Sequence, residues 1–284
     1  MGLPRWPRPF YRRTDSCARL SVVTFTGHLP TGPAKPGVDD GWPDDFAWPE
    51  SMSLNVYDLT DPEQRPLFQH AFDGSIRDRA SETLGAAAAR IGRARFAVHL
   101  DGDLGDPSDL AHLQAVQATL RWLARDCGAF AALNETSIEW VDVAELAGTL
   151  PSPRFQLPEW LRMIVETDVD PRFGRVLHTR GMVQFGRPDL LMLGFDDAVV
   201  SAVAEAVDAA ANALAKGGVL GEGDRFLVAR LKPNPRTLDR AEATAVVLRP
   251  DENGPDVALE NDGLILCLDA AVLEQMQLAQ THSP

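Results

Sequence analysis

The stretch that decides the fold is RFAVHLDGDLGDPSDLAHLQAVQATLRWLARDCGAFAAL, residues 95–133. It begins and ends with an apolar segment typical of a β-strand. Between them, apolar residues recur every three or four positions, as on one face of a helix: Leu110, Leu113, Val116, Leu120 and Leu123. A helix of this length between two apolar strands predicts a parallel strand pair joined by a right-handed crossover.

The flanking sequence adds further strands and helices. Apolar, β-branched segments predict strands at 20–26, 160–167, 175–179, 189–195, 225–231, 243–250 and 264–269. Helical periodicity predicts helices at 75–91 and 196–216, each followed by glycine. We therefore predict an α+β protein: a mixed parallel and antiparallel sheet with helices packed on it, containing a β-α-β unit and ferredoxin-like elements.

The domain organisation is predicted to be simple. Residues 1–19 are basic and rich in proline, and we expect a loose tail. Residues 20–284 are expected to form a single integrated domain, with a possible subdivision near residue 150. A long Pro- and Gly-rich loop follows the first strand. Its Trp42 and Trp48 either pin the loop to the body or form a contact surface.

Charge narrows the classes of partner. Acidic residues number 41 against 27 basic ones, a net charge of −14. Such a charge repels phosphate backbones and anionic lipid, so we predict neither a nucleic-acid nor a membrane partner. No apolar run approaches the roughly 18 residues that a membrane span needs.

Cysteine and histidine usage predicts no cofactor. The three cysteines are odd in number and far apart, which favours a reducing cytoplasm, and Cys127 and Cys267 resemble buried small hydrophobes. The six histidines show no zinc spacing and no metalloprotease motif, and no serine-hydrolase motif occurs. We therefore predict no metal site and no clear catalytic constellation.

The segment HTRGMVQFGRPD, residues 178–189, has the G-x-x-x-x-G frame of a phosphate loop. Arg187 and Pro188 occupy the positions where that motif requires Lys and Ser or Thr, and a strand rather than a helix follows. We therefore interpret the segment as a hairpin corner. Its structural motif is Gly181, Met182, Phe185, Gly186 and Pro188, in which the glycines adopt positive φ and the two large side chains enter the core.

The same corner carries the weak catalytic candidates. They are His178, Arg180, Arg187 and Asp189, which could bind an anion or transfer a proton. The alternative is that Arg187 and Asp189 pair at the turn, while His178 is a satisfied histidine on a strand.

Two acidic clusters are weak candidates for binding. Asp101 and Asp103 follow a predicted parallel strand, at the strand end where ligand sites often form. Glu166, Asp168 and Asp170 alternate along a strand end and could face a cation, although a solvated strand exit is favoured.

The string HTRGMVQFGRPDLLML resembles the signature of an uncharacterised bacterial family, domain of unknown function 4261, whose pattern is T-x-G-M-x-x-F-G-x-x-E. The matching residues are Thr179, Gly181, Met182, Phe185 and Gly186. Asp189 stands where the family usually has glutamate. The resemblance spans roughly residues 75–232 and implies a fold, but no activity and no catalytic residues.

Two functions are compatible with the sequence. The first is a non-catalytic protein-binding, adaptor or immunity-type module, because an acidic surface can neutralise a basic partner. The alternative is a hydrolase or transferase with a His/Arg/Asp site in residues 178–189.

Overall fold

The computed structural model describes residues 3–29, 36–169, 174–221, 245–248 and 263–268. The chain divides into two compact units. One contains Met1–Arg8 and Asp15–Trp160, and the other contains Pro9–Thr14 and Leu161–Pro284. The sequence predicts one integrated domain or a subdivision near residue 150, whereas the boundary between the units falls after Trp160.

The first unit is built on a five-stranded sheet. Its strands are β1 (Arg19–Thr26), β2 (Met52–Asp58), β3 (Phe96–Asp103), β4 (Ala131–Asn134) and β5 (Glu139–Asp142). Their order across the sheet is β2-β3-β1-β4-β5, and every neighbouring pair is antiparallel. The sequence did not predict β2 or β5.

The molecule is α+β, but the mixed sheet built on a β-α-β pair is wrong. The strands β3 and β4 are not neighbours, because β1 lies between them and is antiparallel to each. The reason lies in β1 itself, whose Val22 and Val23 point to opposite faces and are both buried. A strand that is apolar on both faces is most stable in the interior of a sheet.

Among its described residues, the first unit also has five α-helices: α1 (Gln69–Phe72), α2 (Gly74–Leu84), α3 (Ala88–Ile91), α4 (Ala111–Cys127) and α5 (Val143–Gly148). The predicted helix at 75–91 is interrupted at Gly85, whose φ of 51° breaks the helical conformation. The apolar face nevertheless continues, because Leu84 and Ile91 both join the core cluster that includes Phe25.

The predicted central helix is confirmed as α4. Near its start, the Asp109 carboxylate accepts a hydrogen bond of 3.0 Å from the backbone N–H of Ala111. The helix ends at Cys127, where Gly128 takes a left-handed conformation with φ 59°. Nearly every side chain of α4 up to Leu123 is buried, so the helix is enclosed rather than amphipathic.

The N-terminal segment is packed rather than loose. Trp6 is 1% exposed, and its backbone N–H donates to Oε1 of Gln114 at 2.7 Å. Arg8 is 4% exposed and forms an ion pair of 3.3 Å with Asp106. The basic residues that suggested a tail therefore help to enclose α4.

The second unit contains a second five-stranded sheet. Its elements are β6 (Arg162–Val165), β7 (Arg175–Arg180), β8 (Asp189–Phe195), α6 (Val200–Ala215), β9 (Ala245–Leu248) and β10 (Gly263–Leu268). The strand order is β6-β7-β8-β10-β9. All neighbours are antiparallel except β8 and β10, whose register is parallel. The predicted apolar face of α6 is confirmed by buried Val203, Val207 and Leu214.

The predicted hairpin corner is confirmed. The strands β7 and β8 are antiparallel, and the connection contains a short 3-10 turn, Met182–Phe185. Gly181 and Gly186 flank it with φ of 109° and 61°, which are values that L side chains adopt at a cost. Met182 and Phe185 are fully buried.

One prediction falls outside the described residues, namely the strand at 225–231. Of the helices that are described, none is long and apolar enough to cross a membrane.

Candidate functional site

Five polar side chains converge on one face of the first sheet: Ser21, His70, His99, Asp101 and Glu135, hereafter the Glu135 cluster. Strand register brings most of them together. Ser21 on β1 lies opposite Asp101 on β3, and His99, two residues earlier, points to the same face. The backbone N–H of Glu135 donates to the carbonyl of Ser21 at 2.9 Å, and His70 comes from α1.

The Glu135 carboxylate is the centre of the cluster. His70 Nε2 lies 2.6 Å from Oε1, and His99 Nε2 lies 3.3 Å from Oε2. The Ser21 hydroxyl donates to Oε2 and is also 2.9 Å from His99 Nε2. On the far side of the ring, His99 Nδ1 is 3.9 Å from an oxygen of Asp101.

This geometry fixes the charge of Glu135. Burial by itself would raise its pKa, but hydrogen bonds from His70, His99 and Ser21 outweigh burial and hold the pKa well below its ordinary range. The carboxylate is therefore ionised at neutral pH. It acts as a fixed negative charge rather than as a strong base.

The cluster lies where the apolar core of the sheet face ends. Val23 and Phe25, the next residues of β1 on this face, belong to the core cluster that also contains residues of α1 and α2. The Phe68 and Tyr57 rings approach the His99 ring with centroid distances of 6.0 and 6.5 Å. The polar side chains thus occupy the boundary between the packed and the open part of the sheet.

The cluster remains accessible to solvent. The side chain of Asp101 is 42% exposed and that of His70 is 38% exposed. Ser21, His99 and Asp101 lie in the order of the serine, histidine and aspartate of a nucleophilic triad. However, the hydroxyl proton of Ser21 is given to Glu135, so His99 is placed as a donor to Ser21 rather than as its base. Across the residues that the structure describes, no group of three or more His, Cys, Asp or Glu side chains is arranged to hold a metal ion.

The predicted candidate His178 is sealed inside the second unit. Its side chain is 2% exposed, with Nε2 2.9 Å from Oε1 of Glu166 and Nδ1 3.2 Å from the carbonyl of Thr179. Arg180 lies at the end of β7, opposite Arg162 of β6. His178 is therefore a satisfied histidine on a strand.

The side chain of Arg187 is also hydrogen-bonded to the backbone. It is 3% exposed and donates to the carbonyls of Gly186 at 2.7 Å, Gly218 at 2.9 Å and Arg12 at 3.1 Å. A guanidinium that holds three segments of main chain in place is a structural group.

Asp189 is also a structural group, but as a hydrogen-bond acceptor. It is fully buried and accepts hydrogen bonds from Thr179 Oγ1 at 2.9 Å and from the backbone N–H of Met182 at 3.1 Å. The carboxylate thereby ties the start of β8 to the end of β7 and to the turn between them.

The acidic side chains at the end of β3 and after it each bond to a different residue. Asp101 accepts from Ser53 at 2.7 Å, Asp103 pairs with Arg19 at 3.1 Å, Asp106 pairs with Arg8 at 3.3 Å, and Asp109 pairs with Arg5 at 3.1 Å. These acids therefore largely neutralise the basic N-terminal segment. The predicted ligand site at the end of a parallel strand is not formed, because β3 belongs to an antiparallel sheet. Of the other acidic trio, Glu166 bonds His178, and Asp170 lies beyond the described residues.

Trp42 and Trp48 form a small aromatic cluster with Phe46. The Trp42 and Trp48 ring centroids are 6.0 Å apart, and Phe46 is 5.8 and 5.1 Å from them. Both tryptophans are half-buried, and the Trp42 carbonyl accepts from the N–H of Leu3 at 3.2 Å. The loop is thus attached to the N-terminal segment.

Sequence reasoning missed Ser21, His70, His99 and Glu135 as a site, since they come from four separate segments and form no motif. One signal was present: Ser21 and His99 are polar residues inside otherwise apolar strands. Polar side chains at such positions need partners.

Comparisons with known proteins give no relative: no family model, no curated protein and no solved structure matches this chain. The resemblance to domain of unknown function 4261 therefore stays a prediction.

Proposed function

We propose that the protein is a non-catalytic protein-binding module and that the outer edge of β2 receives its partner. The strand β2 is at the end of the first sheet and, within the described residues, pairs only with β3. Its outer backbone edge therefore presents N–H and C=O groups to which one more strand can add.

The observation that carries this proposal is the exposure of two apolar side chains on that edge. Leu54 and Val56 are 44% and 47% exposed and lie on the same face of β2. Edge strands are commonly protected by proline, lysine or a bulge. The sequence MSLNVYD contains neither residue, and its pairing with β3 is regular along all seven positions.

Charge indicates the chemistry of the partner. Glu50 and Glu63 are exposed on either side of β2 in the sequence, and the chain carries a net charge of −14. At the end of the strand, hydrogen bonds from the side chain and backbone of Thr60 lower the pKa of Asp58. An extended segment with lysine or arginine flanking apolar residues complements this edge. The same charge opposes nucleic acid and anionic lipid as partners.

The proposed compartment is the cytoplasm, where thiols stay reduced. Cys17 and Cys127 are free thiols. Burial, with a smaller contribution from Asp126, raises the pKa of Cys127 to about 11, so this thiol is not a nucleophile.

A matched pair of variants tests the proposal. The double substitution Leu54→Lys with Val56→Lys places two charges on the edge, whereas Leu67→Lys places a charge at a residue that is 60% exposed and lies off β2. Proteins captured from bacterial lysate by the wild type should be lost with the double variant and retained with the control. Capture should weaken at high salt, because the partner is basic.

Backbone amides provide the second measurement. Bound partner should slow hydrogen exchange at those β2 amides that point away from β3. Specific capture that persists in the double variant, or a partner that protects other strands instead, contradicts the proposal.

A second candidate function is a hydrolase or transferase at the Glu135 cluster. The observation that favours it is that His99 Nε2 lies 2.9 Å from Ser21 Oγ in a partly exposed setting, so that His99 becomes the base if the Ser21 hydroxyl turns away from Glu135. It replaces the predicted site at 178–189, whose His178, Arg187 and Asp189 are buried.

A panel of nitrophenyl esters and phosphates tests the second function. Ser21→Ala and His99→Gln should abolish turnover, and His28→Gln, at an exposed histidine outside the cluster, should not. Absence of turnover by the wild type across the panel argues against catalysis at this cluster.

A further inference from the structure

A cleft of about 720 Å³ lies beside α4 in the first unit, far larger than a water site. Three arginines, Arg90, Arg121 and Arg125, contribute to its lining. They place positive charge on the cleft, although the chain as a whole carries a net charge of −14.

Arg121 is the most buried of the three. It is 6% exposed, and its Nε is buried with no hydrogen-bond partner among the described residues. Burial lowers the pKa of Arg121, an effect that the charges of Glu159 and Asp40 oppose. A buried guanidinium with an unused donor requires an explanation in a folded protein.

The neighbouring acids are engaged by other donors. Asp40 accepts from the Arg125 side chain and, at 2.9 Å, from the backbone N–H of Gly37. Glu159 accepts from Gln117 at 2.7 Å. These carboxylates stabilise the Arg121 charge through space, but neither forms a hydrogen bond with it.

Arg90 supplies a second guanidinium. Its Cζ lies 4.1 Å from the centroid of the Phe130 ring, and no carboxylate in the described structure pairs with it. Arg125, by contrast, is already paired with Asp40 and Asp126. Two cationic groups of the cleft therefore remain for a ligand.

The rest of the cleft is mixed, because Asp39, Asp40 and Thr149 contribute polar side chains beside an apolar part. Phe130, Leu150 and Pro151 line it together with several alanines. Leu150 is 91% exposed, so a ligand that covers it gains hydrophobic free energy. The lining thus combines the guanidinium groups of Arg90 and Arg121 with an apolar wall, while Asp40, which also lines the cleft, is paired with Arg125.

We propose that this cleft binds a small organic phosphate. The phosphate dianion is bound by Arg121 and Arg90, and the apolar part of the molecule packs against Leu150 and Pro151. Guanidinium groups recognise phosphate through paired, charge-assisted hydrogen bonds, and two of them match a dianion better than a monoanionic carboxylate. The proposal does not depend on the function of the β2 edge.

Calorimetric titration of the full chain with phenyl phosphate, benzoate and inorganic phosphate tests it. Phenyl phosphate should bind with one site per chain and more tightly than either of the others, because only it offers both a dianion and an apolar ring. Arg90→Gln should weaken its binding roughly tenfold. The matched control is Arg93→Gln, a nearby exposed arginine outside the cleft lining, which should bind like the wild type.

Arg121→Lys provides a second variant that keeps the charge but removes the planar donor set. It should weaken the binding of phenyl phosphate and of inorganic phosphate alike, because Arg121 contacts the phosphate group that the two ligands share. Because Arg90 is exposed, its variant should fold even if the Arg121 variant does not. No saturable binding of phenyl phosphate at millimolar concentration, equal weakening by Arg90→Gln and Arg93→Gln, or tighter binding of benzoate overturns the proposal.

Discussion

The Glu135 cluster in the first unit and the 178–189 corner in the second both place histidine beside glutamate, but they differ in access. In the corner, the His178 side chain is 2% exposed and only its partner Glu166 reaches solvent. In the cluster, His70, His99 and Glu135 are 38%, 18% and 23% exposed. One arrangement is sealed, and the other is open on one side.

The hydrogen-bond partners of the two groups show why the residues of the corner have a structural role and those of the cluster form a candidate site. In the corner, Arg187 bonds to main chain, because it donates to the carbonyls of Gly186, Gly218 and Arg12. The cluster residues are distant in sequence, and they bond to one another, as His70 does with Glu135 across 65 positions. Long-range convergence of polar side chains is the stronger indication of a site.

If the corner is structural, the largest loss of stability is expected from a substitution at Asp189. Asp189→Ala leaves the Thr179 hydroxyl and the Met182 N–H without a buried acceptor, and we expect the free energy of unfolding to fall by about 3 kcal/mol. Urea unfolding followed by circular dichroism measures the change. The control is Glu205→Ala, on the exposed side of α6 in the same unit. A change as small as that of the control would mean that the corner does not depend on this carboxylate.

A smaller, pH-dependent effect is expected at Glu135. Its pKa is lowered in the folded state, so its stabilising contribution is fully present above the ordinary glutamate pKa of about 4.3 and is lost as pH falls towards the folded value. We expect Glu135→Gln to destabilise by about 2 kcal/mol at neutral pH, a deficit that shrinks below about pH 4. Unfolding curves at several pH values, compared with those of exposed Glu82→Gln, test this. A deficit that is constant with pH would show that the charge of Glu135 is irrelevant.

Several parts of the fold were predictable because the signal was local. The α4 stripe and the hairpin corner each follow from a short stretch of sequence. The order of the strands in the first sheet, by contrast, is not determined by any short stretch of sequence. The interposition of β1 between β3 and β4 depends on competition among strands far apart in the chain, which periodicity does not resolve.

The site was predicted less well than the fold. The strand β2 was not predicted, although Leu54 and Val56 alternate with a period of two in the sequence. In the structure both side chains are exposed. The Glu135 cluster requires the register of Ser21 against Asp101, which no single segment encodes. The basic N-terminus was misjudged because its acidic partners, among them Asp106, lie about a hundred residues away.

The smallest effect concerns the backbone of the corner alone. Gly186 has φ 61° and ψ 40°, and an added Cβ disfavours this left-handed conformation by about 1 kcal/mol. We expect Gly186→Ala to destabilise by about that amount. Gly27→Ala is the matched control, since an added Cβ there meets nothing within 4 Å. If Gly186→Ala unfolds at the same urea midpoint as Gly27→Ala, the glycine is not needed to turn the chain, and the corner would require another explanation for its sequence.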